Sequence, residues 1–154
     1  EAIESFKDNN VKLLIFGKSD DKMRAYMNEI EMKDYIINLG WIDSRKMYEY
    51  LHASDLGVFP GTHSVIWEQV VGYGLPGVFR HWDGIEHIDF QGNMRYFYNN
   101  SVSELTDILV EIICSRETYR KMKSRAEEIS GEFHYSTLAL KSLGRNVINQ
   151  ADNK

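Results

Sequence analysis

The chain has 154 residues, 43% hydrophobic and 12% aromatic, which excludes intrinsic disorder and suits one domain with a real core. Its 18 basic and 23 acidic residues leave a net charge of −5 with no basic block, which argues against a general nucleic-acid surface. The single cysteine, Cys114, excludes an internal disulfide framework and fits a reducing compartment, and no apolar run approaches the ~20 residues of a membrane span.

In chain order, Glu1 to Lys7 reads as the last turns of an amphipathic helix, and Val11 to Phe16 as a short apolar strand closed by Gly17. Asp20 or Asp21 caps a helix to about Glu31, and Tyr35 to Leu39 is a second strand. Ser44 caps a helix to Ala53, Leu56 to Phe59 is a third strand, and a helix from about Val65 to Gly72 leads to a strand Gly77 to Phe79. Met94 to Tyr98 is the fifth strand. Ser101-Val102-Ser103-Glu104 forms a capping box ahead of a 3.6-residue stripe of Leu105, Ile108, Leu109, Ile112 and Ile113, which places Cys114 as a core thiol. Two further helices follow near 116 to 130 and 136 to 150. Strands alternating with helices predict an α/β fold, a Rossmann-like doubly wound parallel sheet with helices at the C-terminus.

Ligands of such sheets bind beyond the carboxyl ends of the strands. The richest segment there runs from Asp55 to Phe79: a strand apolar on both faces, a polar turn of Gly61, Thr62, His63 and Ser64, and a helix carrying Glu68 and Gln69. A helix opening after a buried strand aims free N–H groups and a positive dipole end at whatever lies above the sheet edge, which suits a phosphate. Lys18 and Arg80 fall just beyond strand ends, where either can neutralise a diphosphate by charge-assisted contacts. Trp67 reads as core packing, whereas Trp41 fits a core position and a stacking position equally. His52, His81 and His134 have no partner at metal-ligand spacing, and neither a Walker loop nor a Gly-x-Gly-x-x-Gly motif occurs.

Asp55 to Pro60, followed by Gln69-Val70-Val71-Gly72-Tyr73-Gly74-Leu75-Pro76, resembles the donor-binding, C-terminal half of the retaining GT-B glycosyltransferases, the nucleotide-sugar-dependent family. Leu39-Gly40-Trp41-Ile42, Asp83-Gly84-Ile85-Glu86-His87-Ile88 and Gly92-Asn93 extend the resemblance over roughly residues 11 to 140. It implies donor-phosphate contacts at Gly61, Thr62, His63, Ser64, Lys18 and Arg80, ribose contacts from Glu68 or Gln69, a base edge at Trp41, Ile42 and Asp43, and a sugar side at Glu86, His87 and Asn93. Gln69 occupies the position of the family's second Glu, and the family's first Glu has no counterpart eight residues before it.

The resemblance further implies one domain over residues 1–154, a fragment lacking the acceptor-binding N-terminal domain and the first strand of its own domain. It implies a hexosyltransferase in polysaccharide biosynthesis, using a UDP or GDP sugar with neither cofactor nor metal and inactive as this piece alone. The acceptor it implies is a glycan or lipid-linked sugar held by the missing part. The location implied is cytoplasmic, with peripheral attachment at the inner membrane face left open. Three rivals stand beside it. A sugar-nucleotide epimerase shares the architecture, and a non-catalytic nucleotide-binding scaffold fits the lost first Glu. A phospho-acceptor receiver module matches Asp20 and Asp21 but puts Phe59-Pro60 where its acceptor Asp belongs.

Overall fold

The computed structural model describes residues 1–8, 10–30, 33–61 and 64–144. A 3-10 helix, Ala2–Phe6, precedes β1 (Leu13–Phe16), α1 (Asp21–Ile30), β2 (Ile36–Gly40), α2 (Ser44–Ala53) and β3 (Gly57–Phe59). Then come α3 (Ile66–Gly72), β4 (Gly77–Arg80), a 3-10 turn Ile85–Ile88, β5 (Met94–Phe97), α4 (Val102–Ile113) and α5 (Arg116–Ile129). A 3-10 turn Ser130–Phe133 and α6 (Tyr135–Ser142) close the described part, and the expected continuation of this last helix beyond 144 lies outside the described residues.

Every strand pair is parallel, as the alternation of strands and helices requires. The sheet is in two pieces, β1-β2 and β3-β4-β5. The amides of Leu13 and Gly17 donate to Tyr35 and Gly40 at 2.8 and 2.9 Å, so Leu14 and Phe16 turn their backbone groups away from β2. Gly57 N–H donates to Pro76 at 3.0 Å, which turns Val58 away from β4 in the same manner. Among the described residues no ladder joins β1 to β3.

Two cores cover the faces of the β3-β4-β5 piece. Phe79, Met94 and, half-buried, Phe59 and Tyr96 face Met47 and Leu51 of α2 and Trp67, Val70 and Val71 of α3. Val78 and Phe97, one residue out of phase, face Phe6, Leu109, Ile112 and Met122. The tripeptide Gly-Val-Phe occurs at 57–59 and again at 77–79, paired in register. The Phe59 and Phe79 rings stack at 5.1 Å, with Trp67 4.9 Å from Phe79. A Cβ on Gly77 would overlap the Phe79 ring and lie 2.9 Å from Met94 Sδ. The glycine makes room for the ring two residues ahead.

Helix ends explain several departures from expectation. Asp20 caps α1, its carboxylate accepting from Met23 N–H at 2.7 Å. Asp43, not Ser44, caps α2: it is extended (φ −73, ψ 165) and accepts from Lys46 N–H at 3.0 Å, while Ser44 is already helical. The Ser101 hydroxyl accepts from Glu104 N–H at 3.4 Å, but the Glu104 carboxylate accepts from Tyr98 and Asn99 instead of Ser101. The left-handed turn at Asn100 (φ 47) stands between those two amides and the helix. Cys114 is exposed at the end of α4 and is no core thiol. Two residues past buried Ile112, it sits about 200° around the helix from the apolar stripe. No helix among the described residues is long and apolar enough to cross a membrane.

Candidate functional site

The carboxyl ends of β1 and β2 both finish in a glycine with positive φ, Gly17 at 144° and Gly40 at 60°. The chain turns there, and a cavity of about 450 Å³ opens, lined by Gly17, Lys18, Ser19, Arg24, Asn38, Gly40 and Trp41. Lys18 Nζ stands 5.1 Å from the centroid of the Trp41 ring. That is a cation–π contact, worth about 0.5–1 kcal/mol at an exposed site. The indole is 71% exposed, so Trp41 is not a core residue. Ile42 packs partly buried against the core beneath, and the Asp43 carboxylate serves the start of α2. Arg24 was not singled out from the sequence. The signal was its place one turn into a helix capped by Asp20, directly after the Gly17 turn.

Beyond β3, Gly61 is exposed, and Ser64 accepts the first helical amides, its Oγ from Ile66 at 3.4 Å and its carbonyl from Trp67 at 2.9 Å. Thr62 and His63 lie outside the described residues. Trp67 is 1% exposed and fills the core, as expected. Glu68 and Gln69 diverge by the 100° step of a helix. Glu68 Oε1 is 3.0 Å from His87 Nε2 in the loop after β4, whereas Gln69 Nε2 donates to the Tyr135 hydroxyl of α6 at 3.3 Å.

That loop is built around Gly84, at φ 100. Gly84 N–H donates to Glu86 Oε2 at 3.0 Å, and its carbonyl lies 2.9 Å from His87 Nδ1. Glu86 Oε1 is 3.7 Å from His81 Nε2, and the His81 ring stacks on Tyr98 at 4.7 Å. Burial opposes charge on the His87 ring, but the Glu68 carboxylate, the Gly84 carbonyl and Glu86 outweigh it, so its pKa is raised. Asn93 is fully buried: it donates to the Ile88 carbonyl at 3.0 Å and accepts from Phe90 N–H at 2.8 Å. Both of its amide arms brace the loop. Arg80 ends β4 half-buried, two residues from Val78 and hence on the face opposite Phe79. Among the described residues no group of three or more His, Cys, Asp or Glu side chains lies close enough to hold a metal ion.

No protein-family model matches the sequence, and neither does any curated protein. Solved structures do match it. The Anabaena protein HepE, in a complex with UDP and glucose, superposes with a TM-score of 0.69 at 15% identity over 93% of this chain and 42% of its own. Sucrose-phosphate synthase from Thermosynechococcus elongatus gives 0.66 at 15% identity, covering 92% of this chain and 39% of that one. A Listeria monocytogenes structure described as a UDP-N-acetylglucosamine 2-epimerase gives 0.71 at 17% identity, covering 93% and 38%. This chain thus spans about two fifths of each of those proteins. The likeness is one of fold: a Rossmann-like half of the GT-B architecture.

Proposed function

We propose that this chain is the donor-binding half of a retaining, metal-independent glycosyltransferase that moves a sugar from a nucleoside-diphosphate sugar to an acceptor hydroxyl. The observation that carries the reading is the cavity at the ends of β1 and β2, where Lys18, Arg24 and an exposed Trp41 meet at the carboxyl edge of a parallel sheet. A flat indole beside two cations suits an aromatic base joined to a diphosphate. In this reading Trp41 stacks the base, Lys18, the amides from Gly61 to Ser64 and Arg80 hold the phosphates, and Glu68 accepts from the ribose hydroxyls. Glu86 and His87 flank the sugar. Acceleration comes from positioning the acceptor and from stabilising the departing diphosphate.

The test is calorimetric titration with UDP, GDP, ADP and their glucose conjugates, repeated on Lys18→Ala and Trp41→Ala. Millimolar or tighter binding of one nucleotide series, weakened at least several-fold by each substitution, is expected. Binding by none, or binding indifferent to both variants, sinks the proposal. The likeness to the Listeria protein, with a TM-score of 0.71, favours a sugar-nucleotide epimerase as the second reading. Release of a 2-epimer from UDP-N-acetylglucosamine without an acceptor separates the two.

A further inference from the structure

The His87 ring lies between two oxygens that can only accept. Nδ1 faces the Gly84 carbonyl at 2.9 Å, and Nε2 faces Glu68 Oε1 at 3.0 Å. A neutral imidazole has one N–H and one lone pair, so it can donate to only one of them. Satisfying both takes one further proton, as imidazolium against carboxylate. Among the described residues, the groups around this ring include Glu68 from α3, the Gly84 carbonyl and Glu86 from its own loop, and His81 on the far side of Glu86. Together they form a line from the end of β4 to the first turn of α3.

We propose that His87 is a positioning residue: held as an imidazolium, it clasps Glu68 and fixes the first turn of α3 against the loop 81–88, so that the nucleotide site is set by one proton. The proposal rests on the ribose role given to Glu68 above. When the ring loses that proton it can donate to Glu68 or to the Gly84 carbonyl but not to both, so the clasp between α3 and the loop loosens. The direction follows from the raised pKa of His87. The clasp is complete below the ordinary histidine value of 6.5 and is lost as pH rises through the folded-state value. With side chains 45% and 28% exposed, the pair is worth what a partly solvated ion pair is worth.

Two measurements on the intact chain test it. Long-range 15N–1H correlation on histidine-labelled protein should find both His87 ring nitrogens protonated at pH 6.5, and Glu68→Gln should lower the pKa of the ring. A neutral, single-tautomer ring at pH 6.5, or a pKa indifferent to Glu68→Gln, overturns the clasp whatever the nucleotide does. UDP-glucose titrated at pH 6.5 and 8.5 should bind about 1.4- to 5-fold more weakly at the higher pH, the range of an exposed ion pair. His87→Gln, which donates at any pH, should abolish that dependence. Equal pH dependence in both proteins overturns the positioning role. If UDP-glucose binds at neither pH while the ring is doubly protonated, the donor reading fails and the clasp stands.

Discussion

Gly77→Ala is the substitution whose effect the packing determines most directly. The new methyl group would overlap the Phe79 ring and approach Met94 Sδ to 2.9 Å. Phe79 is fully buried, with Trp67 centred 4.9 Å away and Phe59 stacked at 5.1 Å, so the ring has no space to retreat into. Overpacking of this kind costs about 1–3 kcal/mol. The alanine returns about 0.4–1 kcal/mol by narrowing the unfolded ensemble. The net loss is therefore roughly 0–2.6 kcal/mol. Urea unfolding followed by tryptophan fluorescence and far-UV circular dichroism measures it. Gly57→Ala should cost less, because its Cβ meets the half-buried Phe59 ring at 3.0 Å and Val70 Cγ1 at 3.3 Å. In a Phe79→Leu background, Gly77→Ala should lose most of its cost, a coupling that a double-mutant cycle reads. A Gly77→Ala protein more stable than wild type, or a cost unchanged in the Phe79→Leu background, would refute the idea that the glycine exists to seat the ring.

Glu104→Ala should unfold more readily at neutral pH. Hydrogen bonds from the Tyr98 and Asn99 amides, opposed by desolvation, lower the Glu104 pKa, so its stabilisation is present above the ordinary 4.5 and fades as pH falls through the folded-state value. Unfolding curves of the two proteins should accordingly converge in acid. Gly74→Ala should cost at least the ~1–2 kcal/mol of a left-handed alanine, because Gly74 has φ 69 and a Cβ there meets Glu127 Cα at 3.2 Å. A urea midpoint unchanged by that substitution would contradict the turn geometry. Hydrogen exchange should be much faster at Leu14, Phe16 and Val58, whose amides face the break in the sheet, than at Val78 and Phe79 of the central β4. Equal protection would mean that β1 and β3 are bridged.

The elements were legible in the sequence because each strand is a short apolar run between glycines or polar turns, and α4 carries its stripe at Leu105, Leu109 and Ile112. Details decided by a single dihedral were not. Asp43 and Ser44 both suit a cap, and only the extended backbone at Asp43 selects it. Cys114 follows two apolar residues yet is exposed, because the stripe ends at Ile112 while the chain runs on. Spacing puts Gln69 at the position of the family's second Glu with Glu68 one residue early, and a helical step sends Glu68 to the loop after β4 and Gln69 to α6. Arg24 escaped notice because its relation to Gly17 and Trp41 depends on how α1 leaves β1. Asn93, which the resemblance puts on the sugar side, is a buried brace for the loop, with both amide arms engaged within it.

The break between β1 and β3 decides how the mouth of the site can move. Lys18 and Trp41 ride on one ribbon of strands, Glu68 and His87 on the other, and among the described residues no strand ladder runs sideways between them. Their spacing is set by grease instead: Met47 and Leu51 of α2, with Phe16 and Ile42 leaning on the same cluster. Packed side chains slide by small steps where a ladder would have to snap. The gap between Lys18 and the Glu68 carboxylate can thus widen or narrow without either ribbon losing one of its own hydrogen bonds.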